Sequence, residues 1–134
     1  MSFVLDASVT VVWAMPAEAD PEADYALDIT SRNGAIVPSI WWYEIRSILV
    51  VNERRGRITP AKTARFMMEL ANLNIRVLPA DWHRDLQALA RQYQLAVYDA
   101  AYLDLAMRNH LPLATFDRVL KAAALAAGVP LLAS

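Results

Sequence analysis

Short unbroken apolar runs alternate along this chain with stretches in which apolar residues return every three or four positions, so extended and helical segments take turns. Phe3-Val4-Leu5 shows no alternation of apolar and polar residues, the pattern of a strand covered on both faces of a parallel sheet. Ala35 to Val37, Ile75 to Leu78, Leu111 to Thr115 and Val129 to Leu132 predict further strands. The intervening segments predict helices. The first runs from Ser8 to Met15 and stops at Pro16; the second opens in the acidic stretch Glu18 to Asp24, with Pro21 in its first turn, and ends at Asn33-Gly34. Pro38-Ser39 launches a long helix to Arg55 that Gly56 terminates, and Thr59-Pro60 starts another whose apolar face is Phe66, Met67, Leu70 and Leu73. Asp81 to Tyr93, Asp99 to about Asn109 and Arg118 to Ala127 complete the set. Without hairpin signals or repeats, this alternation predicts an α/β fold: one domain over residues 1–134, with a central, mostly parallel sheet of four to five strands flanked by helices.

Composition narrows the chemistry. The chain has no cysteine, which removes disulfides, thiolate metal sites and cysteine nucleophiles and suits a reducing, cytoplasmic location. Its two histidines, His83 and His110, are too few for imidazole metal clusters and read as a surface residue and a helix-end cation. No basic leader precedes the first apolar stretch, which Asp6 interrupts, and no run reaches membrane-spanning length; neither a signal peptide nor a membrane segment is expected. Hydrophobic residues make up 57%, enough to predict that apolar surface meets a partner chain. The long third helix is apolar around much of its circumference, so Trp41 and Trp42 are expected to face a second subunit of a homodimer. A net charge of −1 hides segregation, since residues 1–28 hold six acids and no base. Arg46, Arg54, Arg55, Arg57, Lys62 and Arg65 fall within 20 residues that contain a single acid, Glu53. That cluster reads either as a patch that tracks substrate phosphates or as a solvated helix face.

Asp6 ends the first apolar run, where a carboxylate is costly to bury unless something uses it. Followed by Ala7 and Ser8, it reads as a helix cap or as a ligand-binding residue at the carboxyl end of a strand, where open α/β sheets gather ligands. Element lengths supply its partners. A helix descending from Asp99 for about 11 residues covers roughly 16 Å, and the strand Leu111 to Thr115 climbs back a similar distance at about 3.3 Å per residue. Asp99 and Asp117 therefore finish at one edge. The strand Ala35 to Val37 climbs to the same edge and places Glu44 within the first two turns of the next helix, so Asp6, Glu44, Asp99 and Asp117 share one rim. Their mutual repulsion calls for a counter-ion, and all-oxygen ligation selects a hard divalent cation, Mg²⁺ with Mn²⁺ as the other candidate. Such ions bind phosphate oxygens and activate water for phosphodiester hydrolysis. Asp104, five positions past Asp99, points about 140° away on a helix and is expected on exposed surface.

These residues resemble those of a known family. Val4-Leu5-Asp6-Ala7-Ser8, Glu44 after Pro38, Tyr98-Asp99-Ala100-Ala101-Tyr102-Leu103 and Leu113-Ala114-Thr115-Phe116-Asp117 resemble the PIN-domain ribonucleases, most closely the VapC toxins of bacterial and archaeal toxin–antitoxin pairs. The resemblance covers essentially the whole chain. It implies a Mg²⁺-dependent endoribonuclease acting as a toxin, with Asp6, Glu44, Asp99 and Asp117 as catalytic metal ligands and Ser8 and Thr115 as supporting polar groups. It also implies a cognate VapB-like antitoxin whose tail wraps the toxin and sets a basic side chain among the acids, in a toxin–antitoxin hetero-oligomer. One departure is Ser47, where many relatives carry asparagine, and it puts a substrate contact in doubt. The alternative is a phospho-receiver signalling module, also a small α/β domain with Mg²⁺-binding acids. That class needs an acid beside Asp6 and a lysine directly after a late strand, whereas Leu5 and Ala7 flank Asp6 and no lysine directly follows Thr115 or Leu132.

Overall fold

Strand β1 (Val4–Leu5) is the axis of the molecule. Val4 pairs in parallel with Ile36 of β2 (Ala35–Pro38) on one side and with Leu113 of β4 (Leu113–Ala114) on the other. On its far side β2 pairs in parallel with β3 (Ile75–Leu78), which gives the order β3-β2-β1-β4. This computed structural model describes residues 2–133, and among them the sheet has four strands, all parallel. The unbroken apolar run at the N-terminus has the burial it predicts, with Phe3, Val4 and Leu5 fully excluded from solvent. Val129 to Leu132, expected as a fifth strand, makes only one bridge, Leu113 to Leu131. Pro130 has no N–H to donate, so a ladder cannot extend through it. Its carbonyl accepts from Leu113 N at 3.0 Å, and Leu132 N donates to Leu113 O at 2.9 Å.

Among the described residues seven α-helices cover the sheet: α1 (Ala7–Thr10), α2 (Pro21–Asn33), α3 (Ile40–Arg54), α4 (Pro60–Ala71), α5 (Leu86–Tyr93), α6 (Val97–Asn109) and α7 (Arg118–Ala126). Their starts follow cap chemistry: Asp20 accepts from Glu22 N and Ala23 N, and Thr59 accepts from Lys62 N. The single helix expected over Ser8 to Met15 is α1 followed by a 3₁₀ turn at Val11–Ala14. Val9, Thr10, Val11 and Val12 are all β-branched, which weakens an α-helix there. The helix expected from Asp81 begins only at Leu86. Asp81 instead accepts from His83 N at 2.9 Å, and Asp85 caps α5 by accepting from Ala88 N at 3.0 Å. At the entry to β2, Gly34 has φ +82°, and a Cβ there would lie 2.6 Å from the Asn74 side chain.

α6 is covered on almost every side, with Ala100, Tyr102, Leu103, Asp104, Leu105 and Ala106 all buried. Asp104 is therefore not the exposed residue its helical angle suggested. The angle gives a direction, but the loop between β3 and α5 covers that direction. Arg84 of this loop donates through Nε to both Asp104 carboxylate oxygens at 3.2 Å, and Arg108 Nε donates to Oδ2 at 3.0 Å. Trp41 corrects a second expectation. It is only 4% exposed, and its Nε1 donates to Thr10 Oγ1 at 3.0 Å, so it packs inward while Trp42 and Tyr43 point outward. No helix among the described residues is long and apolar enough to cross a membrane.

Candidate active site

β1 carries Asp6 to the carboxyl edge of the sheet with its backbone still paired, Asp6 N donating to Ala114 O at 3.0 Å. The Asp6 side chain is buried, and its Oδ2 accepts from Ser8 Oγ at 2.6 Å and from Thr115 Oγ1 at 2.7 Å. Both hydroxyls also accept backbone amides from the β4–α7 loop. Phe116 N donates to Ser8 Oγ at 2.9 Å and Asp117 N to Thr115 Oγ1 at 3.0 Å. The two short side chains thus fasten the loop bearing Asp117 to the end of β1. Asp117 caps α7 with one oxygen only: Oδ1 accepts from Val119 N at 2.9 Å and Leu120 N at 3.0 Å, and Oδ2 remains open. Glu44 reaches the same edge from the second turn of α3, its Oε1 accepting from Tyr102 OH at 2.6 Å. Asp99 stands in the first turn of α6.

The four acids repel one another. Burial raises the pKa of Asp6 above the usual carboxylate value, the Ser8 and Thr115 hydrogen bonds oppose this, and the charge on Asp117 adds to the rise. Glu44 is raised mainly by burial and further by Asp6 and Asp99, against the lowering effect of Tyr102. Asp99 is pushed up to about 6 by burial, then by the charges of Asp117 and Asp6. Burial, Asp6 and Glu44 together push the Tyr102 hydroxyl upward, so it remains a neutral donor. Among the described residues none of the four acids takes part in a salt bridge. The positive charge that would relieve them is not supplied by the described residues.

The donor set fits a hard divalent cation. Asp6, Glu44 and Asp117 each commit one oxygen to protein donors and leave the other open, and nothing tethers Asp99 beyond charge and burial. Among the described residues no three acidic or imidazole side chains are drawn together into a ready-made cage. Mg²⁺ binds through one or two carboxylates while keeping several waters, so an open arrangement of this kind suits it.

The other expected site residues lie apart from this cluster. Arg46 sits with its guanidinium 3.4 Å from the centre of the Trp42 ring and donates to Trp42 O at 2.8 Å. Arg54 and Arg55 are exposed at the far end of α3, roughly 15 Å along the helix from Glu44, and Arg57 pairs with Glu18 at 3.6 Å. None of the four arginines is brought to the acids. His110 ends α6, opposite to Asp99, and His83 is exposed in the β3–α5 loop, so neither joins the site. A cavity of about 190 Å³ lies beside the rim, walled by Pro38, Ile40, Leu78, Tyr98 and Leu105, and holds none of the four acids. Sequence reasoning missed Tyr102, although its position three residues after Asp99 puts both on one face of a helix. It also missed the bond from Trp41 to Thr10, which depends on which helices pack together.

Comparison with known proteins agrees with the fold. The family model described as PIN domain matches residues 3–125. No curated protein sequence matches the chain. Among solved structures, PAE2754 from Pyrobaculum aerophilum is similar at 26% identity and a TM-score of 0.72, covering 92% of this chain and 84% of that one. FitAcB from Neisseria gonorrhoeae is similar in fold at 19% identity and a TM-score of 0.67, covering 99% and 97%. A toxin–antitoxin complex from Klebsiella pneumoniae is similar in fold at 20% identity and a TM-score of 0.57, covering 86% of each chain.

Proposed function

The chain belongs to the PIN domain family, and from that premise we propose that it is a Mg²⁺- or Mn²⁺-dependent endoribonuclease, the toxin of a toxin–antitoxin pair. PIN domains are nucleases. The observation that carries the reading is the rim of four carboxylates with no salt-bridge partner among the described residues. Asp6, Glu44, Asp99 and Asp117 would hold the cation. When bound, it supplies a Lewis acid for phosphate oxygens and makes water acidic enough to attack phosphorus near neutral pH. The protein's part is orientation. Ser8 and Thr115 hold one oxygen of Asp6 at the end of the buried central strand, and by accepting from Phe116 N and Asp117 N they fasten the loop that carries Asp117 beside it. Nothing in the chain supplies the acid beside Asp6 that a phospho-receiver would need.

The toxin–antitoxin complex among the structures of similar fold supports an antitoxin partner. A basic side chain from that partner would relieve the repulsion among the acids and block the cation, which couples binding to inhibition. Trp42, Tyr43 and Val50, 44%, 64% and 40% exposed, are apolar residues of α3 available to a second copy in a homodimer. Arg54 and Arg55 would contact RNA phosphates away from the scissile bond. This activity belongs with cellular RNA in the cytoplasm. Expression of the chain alone should arrest growth and fragment RNA, and co-expression of its cognate antitoxin should restore growth. Intact RNA and normal growth at high expression would overturn the proposal.

A further inference from the structure

We propose that Tyr102 is a positioning residue that aims Glu44 at the cation, an inference that rests on the metal-dependent reading above. Glu44 needs such a partner more than the other three acids do. Asp6 is short and held by two hydroxyls, Asp117 is short and held by two amides, and Asp99 is short and fixed to the first turn of α6. Glu44 has an additional rotatable bond and stands on a different helix. The Tyr102 hydroxyl closes that freedom with a 2.6 Å hydrogen bond to Oε1 and leaves Oε2 open. Tyr102 is fully buried, so the packing around α6 fixes where its hydroxyl stands.

The base of Glu44 is fixed as well. Trp41, three residues earlier on α3, donates from Nε1 to Thr10 Oγ1 at 3.0 Å, and that hydroxyl donates to Asp6 O at 3.1 Å. The first turn of α3 is thereby tied to the same strand end that presents Asp6. With Asp99 and Tyr102 three residues apart on α6, one helix provides an acid of its own and holds the acid of its neighbour. A buried tyrosine that only filled space would also seek a partner for its hydroxyl, but any carbonyl would serve. Here the partner is a carboxylate of the acidic rim.

The test is Mn²⁺ affinity by calorimetry on the whole chain, with the metal-free melting temperature measured alongside. Tyr102→Phe should stay folded and weaken Mn²⁺ binding by roughly 10- to 100-fold, the usual effect of removing a group that orients a ligand. In a Glu44→Gln background the same change should cause no further loss, because its effect passes through Glu44. Equal Mn²⁺ affinity in wild type and Tyr102→Phe would overturn the inference and leave the metal-dependent reading standing, whereas a wild-type chain that binds no Mn²⁺ would overturn the reading itself. A Tyr102→Phe chain that does not fold, or one whose loss is undiminished beside Glu44→Gln, would assign the hydroxyl to the fold and also overturn the inference.

Discussion

Asp99 stands in the first turn of α6, where burial and the charges of Asp117 and Asp6 raise its pKa from an ordinary 3.8 to about 6. The folded state therefore holds a proton on Asp99 over a pH range in which the unfolded chain has lost it. Where the folded state binds more protons, stability falls as pH rises, so this residue destabilises the metal-free protein progressively from about pH 4 and fully above about pH 6. Asp6 and Glu44 are shifted in the same direction and add to the effect. Asp99→Asn should raise the melting temperature of the metal-free protein at pH 7.5, by less than the full shift implies because the side chain is partly exposed to solvent. It should also flatten the fall between pH 5 and pH 7.5. A variant with the wild-type melting temperature and slope would show that repulsion at the rim is negligible.

Elements rather than residues decide which of these side chains meet. Counting the rise of a strand against that of a helix was enough to bring Asp6, Glu44, Asp99 and Asp117 to one edge, because those lengths follow from backbone geometry alone. The fate of Trp41 and Asp104 was not legible in the same way. A helical angle says where a side chain points and not what covers it, and both residues are covered by elements distant in sequence, through Thr10 and Arg84. Tyr102 was hidden for the same reason, since its partner lies 58 residues away. Thr10→Val removes the acceptor for Trp41 Nε1 at a buried position and should lower stability by about 1–3 kcal/mol in urea titrations. An unchanged midpoint would mean that α3 is not held there. Asp104→Ala releases Arg84 and Arg108 and should speed hydrogen exchange in the β3–α5 loop while lowering the melting temperature; unaltered exchange in that loop would remove its tethering role.

At the scale of the whole molecule, four acids meet at the carboxyl edge of the sheet, and no described base forms a salt bridge with any of them. The fold itself was largely legible, because unbroken apolar runs separated by capped helices leave few arrangements other than a parallel sheet between helices. What failed was the fifth strand, where Pro130 interrupts the ladder. A protein that keeps uncompensated charge in its fold gains stability from the ion that relieves it. Mn²⁺ at 100 times its dissociation constant should add about 2.7 kcal/mol, a rise in melting temperature on the order of 10 °C for a chain of this size. An unchanged melting temperature at millimolar Mn²⁺ would count against a cation site. The central claim is that the rim cuts RNA with a bound cation. Its most direct test is cleavage of a single-stranded oligoribonucleotide by purified wild type, Asp6→Asn and Asp99→Asn in Mg²⁺ or Mn²⁺, with circular dichroism to confirm the fold of each. Wild type should cut, lose activity in a chelator and regain it with the metal, while both variants fall by more than the roughly 100-fold typical of losing an outer partner. Either variant cutting at the wild-type rate, or wild-type cleavage that persists in the chelator, would contradict the account.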